Sequence, residues 1–133
     1  MYFSGLRLSS YLSGHNIVPG IIPKGTLLYH GTNRKELPSG PEWVSADPEH
    51  SYFFCREAHP RQGCWHLTLV ATRPLRVVYF DGSSAAKLPY GSMDTQDLVT
   101  WGGSPPGSEW DEGQRSQDLC KWGKSFGVDG IVR

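Results

Sequence analysis

The sequence predicts one loop-rich domain of the α+β class, and three observations carry that prediction. The chain has 133 residues, the size of a single domain able to bury its own core. Its 16 Gly and 10 Pro make up about a fifth of the residues, which argues against a helical bundle. Short apolar runs and two-residue alternation share the chain with stretches of helical periodicity. The 5 Trp, 6 Tyr and 5 Phe supply large side chains for burial, so the whole chain is not disordered.

Residues 1–23 read as an irregular N-terminal arm, and residues 24–133 as the domain itself. Lys24-Gly25 gives a turn, Thr26 to His30 a buried strand, and Gly31-Thr32-Asn33 its end. Trp43-Val44-Ser45 reads as a short second strand. Asp47-Pro48-Glu49 is a helix start, with Asp as N-cap and Pro at the first helical position. That helix is expected to run to about Ala58, before Pro60 and Gly63. Trp65 to Ala71 alternates, with Trp65, Leu67 and Leu69 on one face and His66, Thr68 and Val70 on the other. Leu75 to Phe80 is mostly apolar and reads as a central strand. Ser83 caps a short predicted helix through Leu88, and Asp94 to Trp101 is predicted as another. Gln114 to Phe126 is a third, anchored by Leu119, Trp122 and Phe126, with Arg115 and Asp118 facing outward and Gly127 as its C-terminal cap. Asp129-Gly130 turns the chain into a last strand, Ile131-Val132-Arg133. A domain ending inside an apolar strand reads either as having a short terminal strand or as cut short at its C-terminal end.

Charge and composition narrow the function. The 13 Lys+Arg balance the 13 Asp+Glu, so there is no basic excess of the kind a broad nucleic-acid-binding face shows. No apolar run approaches the ~20 residues of a membrane-spanning helix. Met1 to Gly20 lacks the apolar block of a secretory signal, which favours an intracellular protein. The 3 Cys cannot all pair with one another. Cys55 and Cys64 could close a short loop in an oxidising compartment, but the odd count without a signal favours reduced thiols. Cys55, His59, Cys64 and His66 have zinc-ligand chemistry. Their spacing fits no zinc-finger pattern, so a solvated loop without metal is expected. Cys120, beside Leu119 on a helix, reads as a small buried hydrophobe rather than a reactive thiol.

Two stretches carry chemistry. His30 at a strand end, followed by Gly31 and Thr32, sits where a backbone without a side chain lets a ligand approach closely. Trp43 to Phe54 is a strand, a capped turn and a helix start bearing Ser51 and Tyr52. The ordinary alternatives are a structural histidine and a well-capped amphipathic helix.

The order Tyr29-His30-Gly31-Thr32, then Trp43-Val44-Ser45, then Asp47-Pro48-Glu49-His50-Ser51-Tyr52, then Leu75 to Asp81, then Phe126-Gly127-Val128-Asp129-Gly130-Ile131 resembles the ADP-ribosyltransferase fold. It is most similar to the His-Tyr-Glu branch, which includes poly(ADP-ribose) polymerases and RNA 2'-phosphotransferases. The chain also resembles uncharacterised fungal proteins. The first resemblance implies a split mixed β-sheet with a few short helices and a nucleotide cleft between its halves. It implies NAD as substrate, without metal, and transfer of ADP-ribose to water or to a protein or nucleic-acid acceptor. It assigns His30 to the adenosine ribose and the Gly31 backbone to the nicotinamide amide, with Thr32 beside them. Trp43 and Ser51, eight apart, match an aromatic and a small hydroxyl residue of the family. The stacking ring falls at Phe54, with Tyr52 as its neighbour, and His30 and Tyr52 stand as the catalytic candidates.

One departure stands against activity. The family's catalytic Glu lies on a strand after the Asp-Gly-Ile turn, and no residue remains for it after Arg133. Asp97, Glu109 and Glu112 lie elsewhere. The resemblance therefore leaves three readings: a transferase whose Glu is supplied beyond Arg133, a non-catalytic nucleotide-binding or interaction domain, and an RNA 2'-phosphotransferase-like enzyme. For the last, Arg34, Arg73, Arg76 and Arg133 are available to phosphates but share no matching spacing.

Overall fold

The computed structural model describes residues 15–55, 63–82, 94–103, 105–107 and 111–133. The chain is α+β, with mixed and antiparallel sheets. It divides into two units, one of Ile22–Pro74 and the other of Leu75–Arg133 with the strand stretch ending at Ile21. The helix expected from Ser83 to Leu88 lies outside the described residues. None of the described helices is long and apolar enough to cross a membrane.

In the second unit, strand β1 (His15–Ile22) replaces the second half of the expected irregular arm. Ile17, Val18, Ile21 and Ile22 favour extended backbone. Pro19 is tolerated because β1 is an edge strand, where a missing N–H breaks no ladder on the open side. The expected central strand is central, in the sheet order β1, β4 (Leu75–Gly82), β5 (Gly130–Val132). β4 and β5 run parallel, with Val77 opposite Gly130 and Val78 opposite Ile131. The Asp129 N–H donates to the Arg76 carbonyl at 2.7 Å, and the Arg76 N–H donates to the Asp129 carboxylate at 2.8 Å. This pair sets the register at the point where the turn delivers the chain to β4.

Helix α2 (Asp94–Trp101) and helix α3 (Glu112–Ser125) complete this unit. Val78, Phe80 and Leu119 form its buried core, with Val99, Trp122, Val128 and Ile131 packed around them. The sequence reading of α3 needs two corrections. Phe126 is 66% exposed, because α3 ends at Ser125 and the cap residue swings outward, touching Trp122 with its ring. Arg115, read as outward, is fully buried. It reaches the Asp97 carboxylate on α2 at 2.6 Å and the Glu112 carboxylate at 3.3 Å. Periodicity classes Arg as polar and cannot see that two acids will enclose it. On α2, Leu98 is exposed and Val99 takes the core position. α3 ends as expected at Gly127, whose φ of +65° suits glycine. The Val128 N–H donates to the Gly123 carbonyl and the Gly127 N–H to the Lys124 carbonyl, which closes a Schellman cap.

In the first unit, β2 (Leu27–Thr32) and β3 (Trp65–Val70) pair antiparallel. His30 stands opposite Leu67, Gly31 opposite His66 and Thr32 opposite Trp65. The expected strand at Trp43–Ser45 reduces to one bridge, in which Tyr29 and Ser45 exchange both backbone hydrogen bonds at 2.8 Å. Pro41 and the Asp47 turn leave no room for a longer ladder. Helix α1 (Pro48–Ser51) starts as predicted, with the Asp47 carboxylate accepting from the Glu49 N–H at 2.9 Å. It then tightens into a 3₁₀ turn, Tyr52–Cys55, and the rest of the expected run to Ala58 lies outside the described residues. Tyr, Phe and Cys are weak helix formers.

Candidate functional site

The residues singled out by the sequence all fall in the first unit and gather around the middle of β2. His30 is 4% exposed, and its Nδ1 lies 2.6 Å from the Trp43 carbonyl. A carbonyl can only accept, so Nδ1 carries the proton. In the Nδ1–H tautomer, Nε2 is the acceptor nitrogen, suited to a hydroxyl. Trp43 thus enters through its backbone, orienting the histidine. The Phe54 ring lies 6.5 Å from the His30 ring, centroid to centroid.

Gly31 is buried and cannot carry a side chain here. A Cβ would lie 2.1 Å from the Ser51 carbonyl oxygen and 2.8 Å from the Cys55 Sγ. Its backbone has a defined direction. Tyr29 directs its N–H and C=O to Ser45, whereas Thr26 accepts from Ala71 on the β3 side. Bonding direction alternates along a strand, so Gly31 points both groups to the Ser45 side.

Ser51 is fully buried. Its Oγ lies 2.6 Å from the Pro48 carbonyl and 2.6 Å from His66 Nε2. The hydroxyl proton serves the carbonyl, so His66 Nε2–H donates to Oγ. Both neighbours of the hydroxyl are therefore protein groups. His66 itself is stacked between two rings, Tyr52 at 4.8 Å and Tyr29 at 5.6 Å. Tyr52 is 53% exposed, so its outer face is open.

At the Thr32–Trp65 end of the β2–β3 ladder lies a cavity of about 110 Å³, with room for several waters or a phosphoryl group. Its lining includes His30, Thr32, Arg34, Lys35, the carboxylate-bearing Glu36 and Trp65. The Lys35 ammonium stands 5.5 Å over the Trp65 ring, and Arg34 pairs with Glu42 at 3.2 Å.

Cys55 and Cys64 form a disulfide, which corrects the expectation of reduced thiols. The β3 start returns beside the 3₁₀ turn, and the two Cα atoms come to 5.3 Å, within disulfide range. A disulfide-bonded pair offers no thiolate to zinc, and His66 is engaged by Ser51. Among the described residues no three His, Cys, Asp or Glu group to hold a metal. Burial pushes the Cys120 thiol up.

The family model described as the YPL277C N-terminal domain matches residues 10–66 and 56–133. The chain belongs to the YPL277C N-terminal domain family. It is similar to uncharacterized protein YPL277C of Saccharomyces cerevisiae, at 31% identity over 90% of this chain and 34% of the relative. It is likewise similar to uncharacterized protein YOR389W of the same yeast, at 31% identity over 90% of this chain and 26% of the relative. The chain thus spans about a quarter to a third of the length of these curated relatives. No solved structure matches it. Membership of the YPL277C N-terminal family adds no activity to the geometry.

The His30 ring lies near Phe54, whereas Ser51 and Tyr52 meet at His66. His66 is expected on the strand face opposite Trp65, with zinc-ligand chemistry but no zinc-finger spacing. Its facing of Gly31 depends on the β2–β3 register, which no local pattern reveals.

Proposed function

We propose that this domain binds NAD or an ADP-ribose-like nucleotide as an ADP-ribosyltransferase-type module. The observation that carries the reading is the direction of the Gly31 backbone. A buried N–H and C=O side by side, pointing to the Ser45 side of β2, match the acceptor and donor of a carboxamide such as nicotinamide. His30, adjacent, presents Nε2 to a ribose hydroxyl. The cavity beside it, with Thr32, Arg34 and Lys35, suits the ribose-phosphate part of the ligand. Phe54 and the outer face of Tyr52 are flat rings for stacking.

Where a carboxylate is supplied, the reaction is cleavage of the nicotinamide–ribose bond and transfer of ADP-ribose to water or an acceptor. Such a group acts by stabilising the oxocarbenium-like transition state. The carboxylates of this chain's second unit favour the binding-only reading. Asp97 and Glu112 hold the buried Arg115, and Glu112 also pairs with Arg133. Calorimetric titration with NAD, ADP-ribose and a short 2'-phosphorylated RNA tests the proposal. NAD and ADP-ribose are expected to bind, and His30→Ala to lose them. Binding of the RNA alone would replace the reading with the phosphotransferase one, and binding of none would remove it.

A further inference from the structure

The proposed nicotinamide end of the site is closed in this structure, and a disulfide holds the closure. Ser51 has no exposed surface, and its hydroxyl is fully engaged by the Pro48 carbonyl and His66. Gly31 lies directly under the Ser51 carbonyl and the Cys55 Sγ. Cys55, 7% exposed, ends the 3₁₀ turn that carries Tyr52 and Phe54. Cys64 is exposed and precedes Trp65, the first residue of β3. The bond therefore ties the turn to β3 at the point where the turn covers Gly31. One sulfur is reachable from solvent, and the other forms part of the lid.

We infer that Cys55–Cys64 is a redox gate on this site, closed when oxidised and open when reduced by a dithiol. The inference rests on the nucleotide-binding reading above and concerns its regulation. The reductant's thiolate attacks the exposed Cys64 Sγ, forming a mixed disulfide and releasing Cys55 as a thiolate. The reductant's second thiol then attacks its own sulfur in that mixed disulfide and releases Cys64. The two thiol protons of the reductant end on Cys55 and Cys64, and the dithiol leaves as a cyclic or intramolecular disulfide. Two electrons pass to the protein. Free of the tie, the Tyr52–Cys55 turn keeps its ring contacts to His50 and His66 and the Ser51–His66 hydrogen bond beside it. It can lift from Gly31 and expose that face of β2 together with the Ser51 hydroxyl. A lid needs low local stability to work, and one short turn carried on a four-residue helix meets that need.

The test compares the air-oxidised chain, the chain in dithiothreitol, and Cys64→Ser, which removes the exposed sulfur. Two quantities are read: nicotinamide and NAD affinity by calorimetry, and amide hydrogen exchange over residues 48–55. The reduced chain and Cys64→Ser are expected to bind at least tenfold tighter than the oxidised chain and to exchange faster over 48–55. Oxidised protein binding as tightly as reduced protein would overturn the gate. So would exchange over 48–55 that ignores the redox state. If no form binds NAD or ADP-ribose, the nucleotide reading fails, and exchange alone decides whether reduction releases the turn. Chemical reduction of the wild-type chain keeps the test open should Cys64→Ser fold poorly.

Discussion

Gly31 is the residue on which most of the first unit depends. The Ser51 carbonyl and the Cys55 sulfur occupy the space where any other residue would carry its Cβ. Both belong to packed groups, so the strain of a methyl group cannot be relieved by moving a flexible side chain. Gly31→Ala is expected to destabilise the first unit by about 1–3 kcal/mol, read as a lower urea midpoint. An unchanged midpoint would mean that α1 rides more loosely on β2 than its contacts indicate. Arg115 is the corresponding residue of the second unit. Its guanidinium has no exposed surface, and it is held by Asp97 and Glu112 with the Trp101 ring 5.3 Å from its centre. Asp97→Ala leaves a buried cation with its nearest counter-ion gone, which costs about 3–5 kcal/mol. A joint replacement of Arg115 and Asp97 by apolar residues of similar volume is expected to cost less than the single change. Equal losses would show that the pair acts through packing alone.

At the scale of elements, α3 separates burial from apolar character. Leu119 is 2% exposed and Phe126 is 66% exposed. Leu119→Ala is therefore expected to cost about 2–5 kcal/mol, and Phe126→Ala to stay within about 0.5 kcal/mol, as surface changes do. Thermal melts of the two variants make the comparison. The same helix is tied to α2 by Asp118, whose carboxylate accepts from the Trp101 indole at 3.0 Å and the Gln114 amide at 2.8 Å. These hydrogen bonds, Gln114 first and Trp101 next, with Lys121 adding its own, lower the Asp118 pKa from 3.8 to about 2. A carboxylate with a depressed folded-state pKa stabilises the fold above its unfolded value and loses that contribution as pH falls through the folded one. Melts of wild type and Asp118→Asn are thus expected to differ above pH 4 and to converge between pH 4 and pH 2. A gap that persists below pH 2 would assign the difference to shape rather than charge.

For the whole molecule, binding and turnover separate. In the proposed reading, His30, Gly31 and the aromatic rings would contact a nucleotide equally in its ground state and beyond, and uniform contacts do not raise the chemical rate. A missing transition-state contact costs on the order of a hundred- to a thousand-fold. NAD hydrolysis by residues 1–133 is therefore expected to stay near background in both redox states, followed as release of nicotinamide by chromatography. Robust turnover would point to a carboxylate reaching the site, Glu109 being one that lies outside the described residues.

Local chemistry alone determined the features written in neighbouring residues. The Asp47-Pro48 helix start, the alternation of Trp65 to Val70, the central apolar strand Leu75 to Phe80, the α2 boundaries and the Gly127 cap are all of this kind. Each depends on a capping oxygen, a fixed φ or a side-chain period, and these act over a few residues. The candidate site was legible only as a set of residues: His30, Gly31, Ser51, Tyr52 and Phe54. Tertiary structure decided what those residues do. Register placed His66 opposite Gly31, where it could reach Ser51. The return of β3 beside the 3₁₀ turn joined Cys55 to Cys64. Two acids, one from α2 and one from α3 itself, drew Arg115 into the interior. All three outcomes couple residues at least partly through strand pairing and helix packing, whose energies are summed over whole elements and leave no mark on any single stretch of sequence.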